Sequence, residues 1–138
     1  MTEILDFINS NALLVGATVI VFLLAVFNEL KIKESDICGL TPIEAVKLIN
    51  QNAVVYDLRS PTTYNQKHII GATNIEAENL LTNNHDNKNL MLLVCESGGV
   101  SKKTSLSLRK KNLDNIFYIK GGQAAWETGS LPVSSNNG

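Results

Sequence analysis

The chain has 138 residues, with 12 Lys and Arg against 13 Asp and Glu and a net charge of −1. That length holds one ordinary domain and little else, and the near balance of charge gives no case for a nucleic-acid partner or a strongly acidic one. Two cysteines, Cys38 and Cys95, are too few for a disulfide scaffold and too far apart for a C-x-x-C motif. His68 and His85 lie at no metal-ligand spacing from either, so the sequence predicts no metal site.

The first predicted element is a membrane anchor. Residues 1–30 carry Glu3, Asp6 and Glu29 but no Lys or Arg. Ala12 to Phe27 reads ALLVGATVIVFLLAVF, which as a helix spans about 24 Å, short of a hydrocarbon core of about 30 Å. Leu30 and Ile32 extend the apolar surface, and Lys31 and Lys33 can snorkel to the headgroups. A cleaved signal peptide would begin with basic residues, and a core helix of so small a domain would keep a polar stripe. The expected organisation is a short tail over 1–11, a transmembrane helix over 12–30 and a linker over 31–40. Lys31 and Lys33 follow the span and no basic residue precedes it. The chain is therefore expected to cross the inner (cytoplasmic) membrane once, with its C-terminal domain in the cytoplasm, where a thiol stays reduced.

A helix start follows. Thr41 caps it, Pro42 takes the first helical position, and Glu44 completes a capping box. Ile43, Val46 and Ile49 then recur at helical spacing. AVVYDLR, 53–59, reads as a buried strand, and PTTYNQK, 61–67, as a short helix or turn. GATNI, 71–75, suits a second short strand, and NHDNKN, 84–89, a polar loop. LMLLVC, 90–95, is the strongest strand signal in the chain. A helix is predicted over 101–112, with Asn112 as a left-handed C-terminal residue. NIFYI, 115–119, reads as a strand, GGQAAWE, 121–127, as a turn and short helix, and 134–138 as a disordered tail. Strands alternating with helices predict an α/β domain, a mainly parallel central sheet flanked by helices.

In such sheets ligands bind beyond the carboxyl ends of the strands. Cys95 closes the most apolar strand and is followed by Glu96, Ser97, Gly98, Gly99 and Val100, then by a helix. A thiolate is the nucleophilic form of cysteine, and a strand–loop–helix turn favours it through backbone N–H groups and the helix N-terminus. Gly98 and Gly99 allow the loop to curl, and Lys102 and Lys103 add a minor positive contribution. The spacing alone leaves open the alternative that Cys95 packs as a small buried hydrophobe.

Over about residues 41–133 the sequence resembles the rhodanese family. Asp57-Leu58-Arg59 is similar to the family's D-V-R. Tyr64, His68-Ile69-Ile70-Gly71-Ala72 and Asn74-Ile75 resemble F-x-x-G-H-I-x-G-A-x-N-I. Cys95 opens a loop of active-site length, with Ser101 where the family's helix begins. Gly121-Gly122, Trp126 and Leu131-Pro132 resemble the closing G-G-x-x-x-W and L-P. The helix ahead of a single domain resembles a bacterial subgroup of membrane-anchored rhodanese-related proteins. The resemblance implies a sulfurtransferase or sulfur carrier that holds sulfur as a persulfide on catalytic Cys95. The loop from Glu96 to Ser101 would stabilise thiolate and persulfide, without cofactor or metal. It implies structural support from Asp57, Arg59 and His68, and a packing role for Trp126.

Many active relatives carry Arg directly after the cysteine and again four residues later. Glu96 and Val100 stand there instead, so thiosulfate is expected to be a poor donor. Related phosphatases place Arg at the sixth position after Cys, here Ser101, which excludes that activity. Two functions remain: sulfur transfer with a donor or acceptor protein or a small thiol as partner, or a weakly active or inactive rhodanese fold serving as a protein-interaction module at the membrane. The cluster Lys102, Lys103, Arg109, Lys110 and Lys111 suits a solvated helix face, with anionic headgroups as the alternative.

Overall fold

The computed structural model describes residues 1–138 apart from 36, 86, 87, 137 and 138, with no side-chain description for 32–35. The chain forms two compact units, Met1–Ile37 and the remainder from Cys38 onward.

The first unit holds two helices, α1 (Thr2–Ser10) and α2 (Ala12–Ser35). Both overrun the expected boundaries. Residues 2–10, expected as a tail, are helical, with Glu3 in the first turn where a carboxylate suits the helix dipole. Residues 31–35, expected as linker, continue α2, because no Gly or Pro stands between Gly16 and Gly39 to stop it. Asp36, the next linker residue, lies outside the described residues. The window Ala12–Lys31 is 20 residues long and apolar enough to cross a membrane. Its one hydroxyl, on Thr18, donates back to the Leu14 carbonyl at 2.8 Å, so it carries no unmet donor.

The second unit is an α/β fold. In chain order its elements are β1 (Gly39–Leu40), α3 (Pro42–Asn50), β2 (Val54–Asp57), α4 (Pro61–Gln66), β3 (His68–Ile69), β4 (Thr73–Asn74), α5 (Ala77–Thr82), β5 (Met91–Val94), α6 (Gly99–Arg109), β6 (Ile116–Ile119), α7 (Gly122–Thr128) and β7 (Val133–Ser134). Five strands pair in parallel in the order β1-β6-β5-β2-β4. β3 and β7 make a separate antiparallel pair.

β5 explains why the sheet is covered on both faces. All four of its residues are buried, and they alternate between two apolar clusters. Leu92 and Val94 join Ala45 of α3, Ile119 and Trp126 of α7. Met91 and Leu93 join Leu80 of α5, Leu108 of α6, Ile116 and Tyr118. A strand buried on both sides reads as an unbroken apolar run, not an alternating one. The capping box at α3 forms as the sequence requires: the Thr41 N–H donates to the Glu44 carboxylate at 2.8 Å, and the Glu44 N–H donates to the Thr41 hydroxyl at 3.3 Å.

Three details differ from the sequence expectations. α6 was expected over 101–112 but runs two residues earlier at its start, because Gly98 caps it in the left-handed region at φ 94°. It also ends three residues earlier, and Asn112 adopts φ 65° beyond its end. The expected tail from Ser134 begins as a strand, with Ser134 opposite His68 and the Asn136 N–H donating to the Asn65 carbonyl at 2.9 Å. Asp86 and Asn87 of the expected polar loop lie outside the described residues.

Candidate active site

Cys95 stands at the carboxyl end of β5, between β2 and β6, and its residue is 5% exposed. Three groups converge on its sulfur. The Gly98 N–H donates at 3.1 Å and the Ser101 N–H at 3.4 Å, and the Ser101 hydroxyl lies 3.3 Å away. That hydroxyl is also within 3.2 Å of the Gly98 carbonyl, to which it can donate. Of the loop expected to line the sulfur, Glu96–Gly98 form the turn itself, while Gly99 and Val100 already belong to α6. Ser101 is buried in the first turn of that helix, and Glu96, Ser97, Gly99 and Val100 face solvent.

The turn is held from behind. The Cys95 carbonyl accepts the Gln123 N–H at 2.8 Å, and the Glu96 carbonyl accepts the Ala124 N–H at 3.1 Å. These are first-turn amides of α7, which lack partners inside their own helix. Gly122 makes the approach possible. It sits at φ 59°, and a Cβ there would run into the Cys95 carbonyl oxygen. Gly98 faces the same packing from the other side, where a Cβ would come within 3.0 Å of the Gly121 nitrogen. The Gly-Gly pair is therefore a seat for the cysteine loop.

A charged network borders the turn at the neighbouring strand end. Asp57 is fully buried and receives Arg59 twice, Nε at 3.0 Å and Nη2 at 2.8 Å, as well as the Arg59 backbone N–H at 3.0 Å. Arg59 Nη2 also donates to the Lys67 carbonyl at 2.6 Å. The remaining nitrogen, Nη1, lies 3.4 Å from the Glu96 carboxylate. Burial alone would lower the Arg59 pKa, but the hydrogen bond and charge of Asp57, followed by those of Glu96, outweigh it and hold the value above the ordinary one. Asn74 locks the backbone beneath by donating to the carbonyls of Asp57 and Arg59 at 3.0 and 2.8 Å.

The pairing of Arg59 with Glu96 was not visible in sequence, where Glu96 reads as an unopposed charge beside the nucleophile. The side chains are 6% and 66% exposed, so water weakens the pair, but the Glu96 carboxylate is not isolated. Its signal was indirect: in a parallel sheet, residues just past the ends of adjacent strands meet, and β2 and β5 pair with Asp57 opposite Val94.

His68 donates from Nδ1 to the Tyr64 carbonyl at 2.7 Å, and its ring stacks on Tyr64 at 4.0 Å. Trp126 is buried and donates to the Pro132 carbonyl at 3.1 Å. Two members of the basic cluster, Arg109 at the end of α6 and Lys111 just beyond it, are engaged with the domain itself. Arg109 donates to the Ile116 carbonyl at 3.0 Å and covers the Phe117 ring, and Lys111 donates to the Leu81 carbonyl at 2.7 Å.

A model of the Rhodanese-like domain family matches residues 41–128. The chain belongs to the rhodanese-like domain family. Among curated relatives, the Uncharacterized protein YibN of Escherichia coli (strain K12) is 27% identical over 139 residues, spanning 96% of this chain and 97% of its own length. Thiosulfate sulfurtransferase GlpE of Pseudomonas entomophila (strain L48) is 30% identical over 96 residues, covering 68% of this chain and 88% of its own. Among solved structures, a rhodanese-related protein from Thermoplasma volcanium superposes with a TM-score of 0.63 at 21% identity, covering 70% of this chain and 96% of that one. That last likeness carries the rhodanese fold alone.

Proposed function

We propose that the rhodanese domain is a sulfurtransferase or sulfur carrier whose Cys95 holds sulfane sulfur as a persulfide, and that α2 tethers it to the cytoplasmic membrane. The single observation carrying the chemistry is the convergence of the Gly98 and Ser101 amides on the Cys95 sulfur. Backbone donors fixed in place stabilise negative charge on sulfur without reorganising during the reaction. The relationship to a thiosulfate sulfurtransferase supports the same class of reaction.

The step is a pair of displacements at sulfur. The Cys95 thiolate attacks the outer sulfur of a donor R–S–SH, the donor S–S bond breaks, and R–S⁻ leaves. The new Cys95–S–SH gives its proton to the departing R–S⁻ or to water, and the charge left on the outer sulfur can be stabilised by hydrogen bonds donated from the loop amides and the Ser101 hydroxyl in place of the thiolate. A nucleophilic acceptor then attacks that outer sulfur and releases the thiolate. Arg59 lies against Glu96 and not on a free anion-binding surface, and Val100 is an exposed apolar side chain. Donors with a neutral or protein-borne sulfane group are favoured over thiosulfate.

The membrane reading rests on the length and apolar composition of Ala12–Lys31, and its orientation on the Lys and Arg asymmetry. Intact-mass measurement of the full chain after incubation with cysteine persulfide, thiosulfate and polysulfide tests the chemistry. Addition of one sulfur atom, removed by a thiol acceptor, is the expected result. A mass unchanged by every donor would leave a membrane-tethered interaction module as the better reading. Protease added outside right-side-out cells tests orientation: the domain should survive, and its digestion would reverse the assignment.

A further inference from the structure

α1 differs from α2 in kind, although only Asn11 separates them. At about 100° per residue, its nine residues sort without exception. Ile4, Leu5, Phe7 and Ile8 fall on one arc, while Thr2, Glu3, Asp6, Asn9 and Ser10 occupy the opposite one. The four apolar side chains are all exposed, and no residue of α1 is buried. α2, by contrast, is apolar on every side over its first 16 residues and has no polar face to turn to water.

The two helices are also separate in backbone. Asn11 leaves the helical range with φ −123° and ψ 33°, and its side chain donates to the Phe7 carbonyl at 3.1 Å, closing the end of α1. The Ser10 hydroxyl closes the preceding turn on the Asp6 carbonyl at 2.7 Å. Side chains that satisfy terminal carbonyls and break the ladder are a recognised cause of a helix bend.

Resting on the reading of α2 as a membrane span, we infer that α1 is an interfacial helix. It lies in the plane of the bilayer surface on the side opposite the rhodanese domain, with Ile4, Leu5, Phe7 and Ile8 inserted at the headgroup–acyl boundary. The occupant of this apolar face is lipid. Three observations favour it over other partners. The 20 residues of Ala12–Lys31 reach about 30 Å, close to the hydrocarbon thickness, with Glu29 and Lys31 in the last turn at the headgroup end, so α1 is not needed to complete the crossing. Extending the span into α1 would carry Glu3 and Asp6 into hydrocarbon, where each carboxylate is strongly disfavoured. The apolar arc also adjoins the start of the span, where Leu13 and Leu14 are exposed in turn. A helix with one apolar and one charged face at that depth satisfies both solvents at once.

The polar arc carries Glu3 and Asp6 and no cation. Attachment therefore depends on apolar insertion, without attraction to anionic lipid, and a zwitterionic surface is the preferred one.

The test uses the full chain in phosphatidylcholine vesicles, with Phe7→Trp or Phe22→Trp as a depth reporter and acyl chains brominated at shallow or deep positions. Trp126 is buried in the domain and supplies a constant background. The Phe7→Trp signal should be quenched most by shallow bromines, and the Phe22→Trp signal most by deep ones. Adding Ile4→Ser and Ile8→Ser should abolish quenching at position 7 and leave position 22 unchanged. Adding phosphatidylglycerol should not strengthen the shallow quenching. A Phe7→Trp signal quenched only by aqueous iodide would overturn the inference, with α1 free in water. Quenching chiefly by deep bromines would overturn it too, with α1 inside the membrane. In both cases a deeply quenched Phe22→Trp leaves the anchor itself standing. A Phe22→Trp signal untouched by any bromine removes the anchor and the interfacial helix together, whatever happens to the persulfide chemistry.

Discussion

The two cysteines make a natural experiment inside one domain. Both are buried and unpaired, and each has a serine of α6 beside it. Ser101 stands 3.3 Å from Cys95 and Ser105, one turn later, 3.5 Å from Cys38. The difference lies in the backbone. Cys95 receives two amides from a turn that curls around it, at 5% exposure. Cys38 lies at the base of β1, is 0% exposed, and packs among Leu93, Leu108 and Tyr118. Burial and a neighbouring hydroxyl are therefore common to the proposed nucleophile and to a cysteine packed in the core. What distinguishes a candidate nucleophile is fixed positive dipole on the sulfur and a path for a donor to reach it.

The sharpest way to break this comparison is to remove each thiol in turn. Cys95→Ser should abolish sulfur transfer completely in a folded protein, as read by intact mass and circular dichroism. Cys38→Ser should keep the sulfur addition while losing about 1–3 kcal/mol of stability to a poorly matched buried hydroxyl. Transfer that survives at Cys38 and not at Cys95 would invert the assignment.

The next effect is on the charges that border one thiol and not the other. Asp57→Ala leaves the buried Arg59 guanidinium without its carboxylate, which costs about 3–5 kcal/mol. Melting temperature should fall by about 4–8 °C for each kcal/mol. The folded fraction should still form the persulfide. Full stability with lost transfer would move Asp57 from scaffold to chemistry.

Much of this was legible beforehand and some was not, for physical reasons. The elements predicted with the right type share a strong local cause: a capping box at Thr41 and Glu44, and an unbroken apolar run from Leu90 to Cys95. The strands β1, β3 and β7 are two residues each, too short to show any period; β4 is as short, but lies within the strand expected over 71–75. β3 and β7 pair across more than sixty residues of sequence, so no local signal announces them. α5 was missed because its AENLLT buries only Leu80. At the site, position and loop length pointed to Cys95. The Gly121-Gly122 signature was read as a motif, without its use as a seat for the Cys95 carbonyl. The Arg59–Glu96 pair depends on two strand ends meeting in space, which composition does not encode.

A smaller effect sharpens the comparison from the donor side. Replacing Glu96 and Val100 with Arg should raise thiosulfate turnover. Each new bond to a charged group contributes about 1.5–3 kcal/mol, on the order of tenfold in rate. Glu96→Gln alone should give a lesser gain by releasing Arg59 Nη1. No gain from either variant, in a protein that accepts other donors, would show that access and not charge selects the donor.

The smallest effect supplies a control that touches neither thiol. Thr41→Ala should cost about 1 kcal/mol through the α3 cap, with transfer unchanged. The Glu44 carboxyl is held below its ordinary value by the Thr41 backbone N–H and then its hydroxyl. Its contribution is fully present above the ordinary carboxyl value and is lost as pH falls through the lowered one. The stability gap between variant and parent should therefore narrow in acid, as measured by urea unfolding across pH.

The seat formed by α7 has a consequence for the order in which the protein becomes competent. The peptide planes of Cys95 and Glu96 are tied by amides of Gln123 and Ala124, residues made well after the cysteine itself. A nascent chain that has brought Cys95 into solution but not yet Ala124 has the thiol without the anchors that shape its turn. The turn around Cys95 is thus completed only once α7 has been made. The sulfur loading proposed above is therefore expected of the finished fold and not of a chain that still lacks Gln123 and Ala124.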